Sequence, residues 1–186
     1  MFPTYFQLGF EHITDLNGYD HMLFLLALCA AYIYRDWKKI LVLVTAFTLG
    51  HSITLALAVL NIIPVNAAWI EFLIPVTIVA TAVKNLSAKQ EKAAIATYLM
   101  ALGFGLIHGM GFSNYLRSLL GDELLMPLFA FNIGLEVGQL IVVGLIFGLQ
   151  FVVMNTISVK PKHWNLVVSL TAGGISLLLA AQRIPF

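Results

Sequence analysis

Polar and charged positions cut the chain into long apolar runs. Breaks fall at Arg35–Lys39, Asn61–Asn66, Lys84–Lys92, Asn114–Leu125 and Asn155–Asn165. They leave apolar stretches near residues 17–34, 39–61, 67–85, 93–113, 125–154 and 164–182, each close to or above the ~20 residues that carry an α-helix across a bilayer. The expected fold is an all-α integral membrane bundle of six transmembrane helices, forming a single polytopic membrane domain over residues 1–186. The fifth stretch is longer than a crossing needs, so tilt, a break near Gly144 or an extension into water has to absorb the surplus. Residues 1–16 mix Phe2, Tyr5, Phe6 and Phe10 with Glu11, His12 and Asp15. That mixture suits an interfacial or re-entrant helix rather than a further crossing.

Composition supports lipid as the solvent. Hydrophobic residues make up 60% of the 186 and charged residues only 10%, with a mean hydropathy of +0.93. A water-soluble domain of this composition could not cover its own surface. A net charge of +1 and the lack of any basic stretch interleaved with aromatics exclude nucleic acid as a partner. Membrane lipid and a small ion remain, and a second copy of the chain stays open as a protein partner. Cys29, the one cysteine, rules out a disulfide framework or a thiolate cluster. No Lys or Arg precedes Arg35, so the chain lacks the basic opening of a secretory signal.

Charge also orients the bundle. Arg35, Lys38, Lys39, Lys84, Lys89, Lys92, Lys160 and Lys162, eight of the ten cations, fall in the first, third and fifth loops. Lys and Arg in short loops stay cytoplasmic, which places both termini outside. Arg117 and Arg183 are the outer-face exceptions, and the fourth loop carries Asp122 and Glu123. Glycines four apart, at Gly105 and Gly109, Gly134 and Gly138, and Gly144 and Gly148, let helix backbones approach closely. Helix packing is the preferred reading for Gly144 with Gly148. Gly50-His51 faintly echoes His108-Gly109, a weak hint of an inverted repeat.

In this orientation the buried ionisable groups share one side. Asp20 and His21 lie at the outer end of the first predicted span, His51 in the outer part of the second, Glu71 one turn into the third, His108 near the top of the fourth, and Asn132 and Glu136 in the outer half of the fifth. His12 joins them from the N-terminal segment, while His163 sits in a basic loop. Each such group in hydrocarbon costs roughly 2 to 4 kcal/mol even on lenient scales, so these side chains should face one another or a wet cavity. Asn132, Glu136 and Gln139 share one helix face, and Thr48, His51 and Ser52 form a polar strip on another. Pro75, one turn beyond Glu71, removes a backbone hydrogen bond near the same level.

Imidazoles and carboxylates without thiolate suit a borderline divalent ion such as Ni, Co, Zn, Cu or Fe. A lone membrane histidine reads more readily as a hydrogen-bonded tie between helices; the group together reads as a ligand set. His21, His51, His108, Asp20, Glu136 and His12 are the candidate ligands. Thr48, Ser52, Asn132 and Gln139 would support them, although Asn132 and Gln139 read equally well as interhelical hydrogen bonds. Asp20 alternatively caps its helix or holds a ligand histidine in one tautomer. A hydrolase would use the same parts differently: His21, His51 and His108 on the ion, with Glu136 or Glu71 as general base.

Gly9-Phe10-Glu11-His12-Ile13 followed by Gly18-Tyr19-Asp20-His21-Met22-Leu23-Phe24-Leu25-Leu26 resembles the opening signature of the HupE/UreJ family of bacterial membrane proteins. Gly105-Leu106-Ile107-His108-Gly109-Met110-Gly111-Phe112 and Phe131-Asn132-Ile133-Gly134-Leu135-Glu136-Val137-Gly138-Gln139 resemble that family's later histidine-glycine and Asn-x-Gly-x-Glu-x-Gly-Gln motifs. The resemblance implies a six- or seven-helix bundle in the bacterial inner membrane, associated with nickel or cobalt uptake for hydrogenase and urease. It carries over Asp20, His21, His108 and Glu136. The spacing from His12 to Asp20-His21 is longer than in the family's pattern, which leaves His12 without a secure equivalent. A permease would take an external ion onto this cluster and release it inward, past an inner half that offers only Thr45, Thr81, Thr97 and Gln150. A metal sensor or assembly accessory would use the same site without turnover.

Overall fold

The computed structural model describes residues 1–15, 18–87, 95–119 and 124–185. Leu16, Asn17, Ala93 and Ala94 of the predicted segments, and the loop charges Lys89, Glu91, Lys92, Asp122 and Glu123, lie outside the described residues. Regular structure among the described residues is entirely helical: α1 (Phe2–Thr14), α2 (Asp20–Ala30), α3 (Trp37–Val59), α4 (Ala67–Leu86), α5 (Ile95–Gly111), α6 (Ser113–Leu119), α7 (Leu125–Thr156) and α8 (Pro161–Gln182). Four are long and apolar enough to cross a membrane: α3 with the turn Tyr34–Asp36 before it, α4, α7 and α8. The pair α5 and α6, bent by 50° at the break between them, passes the same test when taken together and gives a fifth candidate span. The chain is a multi-pass membrane protein.

The predicted first span, 17–34, is not a single helix. Its helical part, α2, has 11 residues, about 16 Å at ~1.5 Å per residue, roughly half of a hydrocarbon core. The apolar run continues to Tyr34, yet the helix stops because Gln150 on α7 supplies the backbone's hydrogen bonds instead. Its Nε2 donates to the Tyr32 carbonyl and its Oε1 accepts from the Tyr34 amide, both at 2.8 Å. A side chain thus satisfies backbone groups that hydrocarbon could not.

Of the three ways to absorb the surplus of the fifth stretch, a break near Gly144 does not occur, since α7 runs unbroken for 32 residues. Tilt or projection into water absorbs the excess. Gly144 and Gly148 do not pack within the chain: both are exposed, and a Cβ at either would meet nothing within 4 Å. Their face of α7 points away from the bundle.

Two other glycine sets do set the architecture. A Cβ on Gly50 would strike the Leu102 carbonyl, one on Gly105 the Phe47 carbonyl, and one on Gly109 the His51 carbonyl. This order makes α3 and α5 a closely packed parallel pair. The Gly50-His51 and His108-Gly109 echo therefore marks two faces of one interface. A second parallel pair joins α1 to α7, where a Cβ on Gly9 would strike the Phe131 carbonyl and one on Gly134 the Phe6 carbonyl. The N-terminal segment is thus docked lengthwise against a long apolar helix, with Gly9 and Ile13 buried.

Polar ties fix the remaining helices. Asn85 Nδ2 on α4 donates to the Ala27 carbonyl at 2.7 Å, and Asn165 Nδ2 on α8 donates to the Asn85 carbonyl at 2.9 Å. Lys84 Nζ donates to Thr97 Oγ at 2.6 Å. These contacts lie toward the lysine-rich end. At the opposite end Arg117 on α6 donates to the Ala58 carbonyl, and the Tyr5 hydroxyl donates to the Leu119 carbonyl at 2.9 Å.

Candidate metal centre

Each imidazole reaches the centre by a different local device. His51 is carried on α3 where the missing side chain of Gly109 lets α5 lie against its backbone. His108 precedes that glycine, His12 rides on α1 next to the α7 contact, and His21 is the second residue of α2. His51, His108 and His21 are only 0%, 1% and 8% exposed. Ring centroids lie 4.5 Å apart for His12 and His21, 5.9 Å for His12 and His51, 6.2 Å for His21 and His51, and 5.1 Å for His21 and His108.

One ring nitrogen from each of His12, His21 and His51 falls within 4.8 Å of the others. Two nitrogens on a tetrahedral ion with ~2.0–2.1 Å bonds sit roughly 3.4 Å apart, so small side-chain rotations close the gap. His12 therefore belongs to the triad, although its spacing departs from the family's pattern. His108 stands beside it. Its Nε2 lies 3.0 Å from Thr77 Oγ, whose own proton is directed to the Ile74 carbonyl at 2.7 Å. With that proton committed, the hydroxyl accepts from His108 Nε2–H and leaves Nδ1 with a free lone pair.

Five imidazole nitrogens, His12 Nε2, His21 Nε2, His51 Nδ1, His51 Nε2 and His108 Nδ1, are buried with no hydrogen-bond partner among the described residues. An unsatisfied buried polar atom costs about 1–3 kcal/mol, and five together approach the whole stability of a domain. Their cost falls if they bind a cation or water, and nitrogen donors from three helices around one point fit a borderline divalent ion. Aromatic rings form the surrounding wall: Phe112 lies 4.1 Å from His12, Phe47 5.1 Å and Phe24 5.3 Å from His108, and Phe131 stacks on His51 at 6.3 Å. Such a shell keeps the local dielectric low.

A cavity of about 1040 Å³ opens onto this cluster and is lined by His12, His21 and His108. Glu71 lines it too, at an exposed position on α4. Pro75 lacks the amide that would bond the Glu71 carbonyl, so that carbonyl is released at the same level. Asp20 lines the cavity, but its Oδ2 accepts from Arg183 Nη1 at 2.8 Å. Arg183 was legible in the sequence only as an outer-face cation.

Other predicted residues are not brought to the imidazoles. Glu136 is half-buried between α3 and α7, where its Oε1 accepts from Thr45 Oγ at 2.8 Å, and it lies neither in the triad nor in the cavity wall. Gln139 Oε1 accepts from Thr48 Oγ at 2.7 Å, and Ser52 Oγ donates back to the Thr48 carbonyl at 2.7 Å. Asn132 Nδ2 donates to the Leu128 carbonyl on its own helix at 2.8 Å. Among the described residues no hydrogen bond of these side chains reaches a histidine, and Gln139 and Thr48 serve as ties between α3 and α7. Of the residues that touch the centre but were not singled out for it, Phe112 and Phe131 appeared only as the ends of the two later motifs, and Thr77 carried no signal in the sequence.

No curated protein matches the chain. No solved structure does so either. A family model described as HupE / UreJ protein matches residues 1–183, in keeping with the quoted motifs, a multi-pass helical bundle and a histidine cluster: the chain belongs to the HupE / UreJ family.

Proposed function

We propose that this protein takes up a divalent transition-metal ion of the nickel or cobalt class from the outer side of a bacterial inner membrane, as a permease or as an accessory to uptake. The observation that carries the reading is the convergence of His12, His21 and His51, from α1, α2 and α3, with ligand atoms within 4.8 Å. His108 and Asp20 stand beside them, and the cavity supplies an approach. Neutral imidazoles bind nickel, cobalt, zinc, copper and iron alike, and family membership favours the first two.

The direction of the helices supports six crossings with both termini outside. α1 runs parallel to α7 from its beginning, and Gln150 near the far part of α7 bonds the chain just after α2. α1 and α2 together thus follow one long helix from end to end. They read as the halves of a single broken crossing, and α1 as its re-entrant outer half. The α5–α6 break falls at Phe112, whose ring lies 4.1 Å from that of His12 near the end of α1. Discontinuous helices whose ends meet near mid-membrane are a recurrent way of building an ion site in transporters.

Ion flux tests the reading. Proteoliposomes containing the protein should accumulate ⁶³Ni²⁺ or ⁵⁷Co²⁺ down an imposed gradient, and a His51→Ala variant should not. Metal-loaded protein without flux would refute a permease and leave the accessory role.

One observation favours a second reading, an intramembrane metal-dependent hydrolase. Glu71 shares the cavity with His12, His21 and His108, so a carboxylate stands in the same chamber as two members of the triad and the imidazole beside it, as a general base for metal-bound water requires. Glu136, bonded to Thr45 elsewhere, does not suit that part. Glu71→Gln separates the two: hydrolysis would be lost with metal retained.

A further inference from the structure

Asp20 begins α2 and is the chain neighbour of His21. Only one of its oxygens is engaged in the salt bridge: Oδ2 accepts from Arg183 Nη1 at 2.8 Å, while Oδ1 is buried with no hydrogen-bond donor among the described residues. Arg183 follows directly on the end of α8, so this contact ties the last helix to the break in the first crossing. Both side chains line the cavity that leads to His12, His21 and His108. Glu11, Asp15 and Glu71 line it as well, and Arg183 is the one Lys or Arg among the described lining residues.

We propose that Arg183 is a built-in competitor for the incoming cation: its guanidinium holds the Asp20 carboxylate until a divalent ion reaches the imidazoles, then gives it up. This rests on the metal-binding reading. Asp20 is paired with a monovalent cation and shares a cavity wall with His12, His21 and His108, the neighbours of the proposed divalent site. Coulombic attraction scales with charge at equal distance, so the ion wins the carboxylate. The side chain of Arg183 is 31% exposed against 16% for Asp20, so the displaced guanidinium can turn into water while the carboxylate stays. Asp20 Oδ1, already turned from the guanidinium, is the oxygen free to face the new charge. A single-point contact releases more easily than the bidentate arginine–carboxylate fork. The pair would thus favour divalent over monovalent ions, because only the former outcompetes a guanidinium.

Ni²⁺ titration calorimetry on the full-length protein in detergent tests this. Arg183→Gln removes the competing charge and should bind Ni²⁺ about tenfold more tightly, whereas Arg183→Lys should stay within about twofold of wild type. The gain should vanish when Arg183→Gln is combined with Asp20→Asn, since the effect passes through that carboxylate. A merely structural tie predicts the reverse: lower thermal stability and equal or weaker binding, which would overturn the proposal. A gain that persists with Asp20→Asn would overturn it too. Phenylglyoxal labelling of the wild-type protein needs no variant, and Ni²⁺ should accelerate modification of Arg183; an unchanged rate would contradict the displacement. Wild-type protein that binds no Ni²⁺ at all would instead remove the metal-binding reading on which the displacement rests.

Discussion

Gly109→Ala is a one-methyl probe of how helix packing aims His51. The new Cβ would run into the His51 carbonyl oxygen, lie 2.8 Å from the His51 carbonyl carbon and 2.5 Å from Thr54 Oγ. The obstruction is backbone, which cannot swing aside as a flexible side chain would, so α3 and α5 have to separate locally by about 1 Å. Overpacking of this kind costs about 1–3 kcal/mol. The same displacement moves His51 away from His12 and His21, whose ligand atoms lie within 4.8 Å of it and have little slack. Disturbing the support of a ligand typically costs 10–100-fold in metal affinity. We expect a lower melting temperature in detergent and a Ni²⁺ or Co²⁺ dissociation constant raised by that factor. Gly144→Ala, on an exposed face where a Cβ meets nothing within 4 Å, should change neither. Wild-type affinity in Gly109→Ala would refute the claim that the α3–α5 glycine contact positions the centre.

Thr77→Val removes the acceptor that fixes the His108 tautomer and should weaken metal binding about tenfold, with Thr77→Ser restoring it in the same titration. Glu136→Gln should leave metal affinity within about twofold of wild type, because that carboxylate is bonded to Thr45 away from the imidazoles; a loss of binding would return Glu136 to the ligand set. Gln150→Leu strips the hydrogen bonds from the Tyr32 carbonyl and the Tyr34 amide. It should destabilise the protein by about 2–4 kcal/mol, measured as thermal or denaturant unfolding in detergent, while metal stoichiometry stays constant.

The sequence made the membrane bundle and the gathering of the histidines legible because both follow from the cost of polar groups in hydrocarbon. His21, His51 and His108 were marked by that cost alone. The early end of α2 was not legible: Met22 to Tyr34 reads as a continuous apolar run, and what takes up the backbone beyond the helix is Gln150, far away in the chain. His12 was obscured for a related reason. Glu11, His12 and Asp15 look interfacial when counted along the chain, yet they line the open cavity that leads to the imidazoles. Glu136 shows the converse: a shared helix face with Asn132 and Gln139 does not say which neighbour that face meets, and its carboxylate meets Thr45. Gly144 and Gly148 have the same spacing as Gly134 and Gly138, and spacing alone does not distinguish a packed face from an outward one.

Metal bound per chain, measured by mass spectrometry after Ni²⁺ or Co²⁺ loading and desalting, addresses the meeting of buried imidazoles most directly. One ion per wild-type chain is expected, with His12→Ala, His21→Ala and His51→Ala each losing it and exposed His163→Ala keeping it. Undiminished metal in a folded His51→Ala protein, or none in the wild type, would contradict the triad.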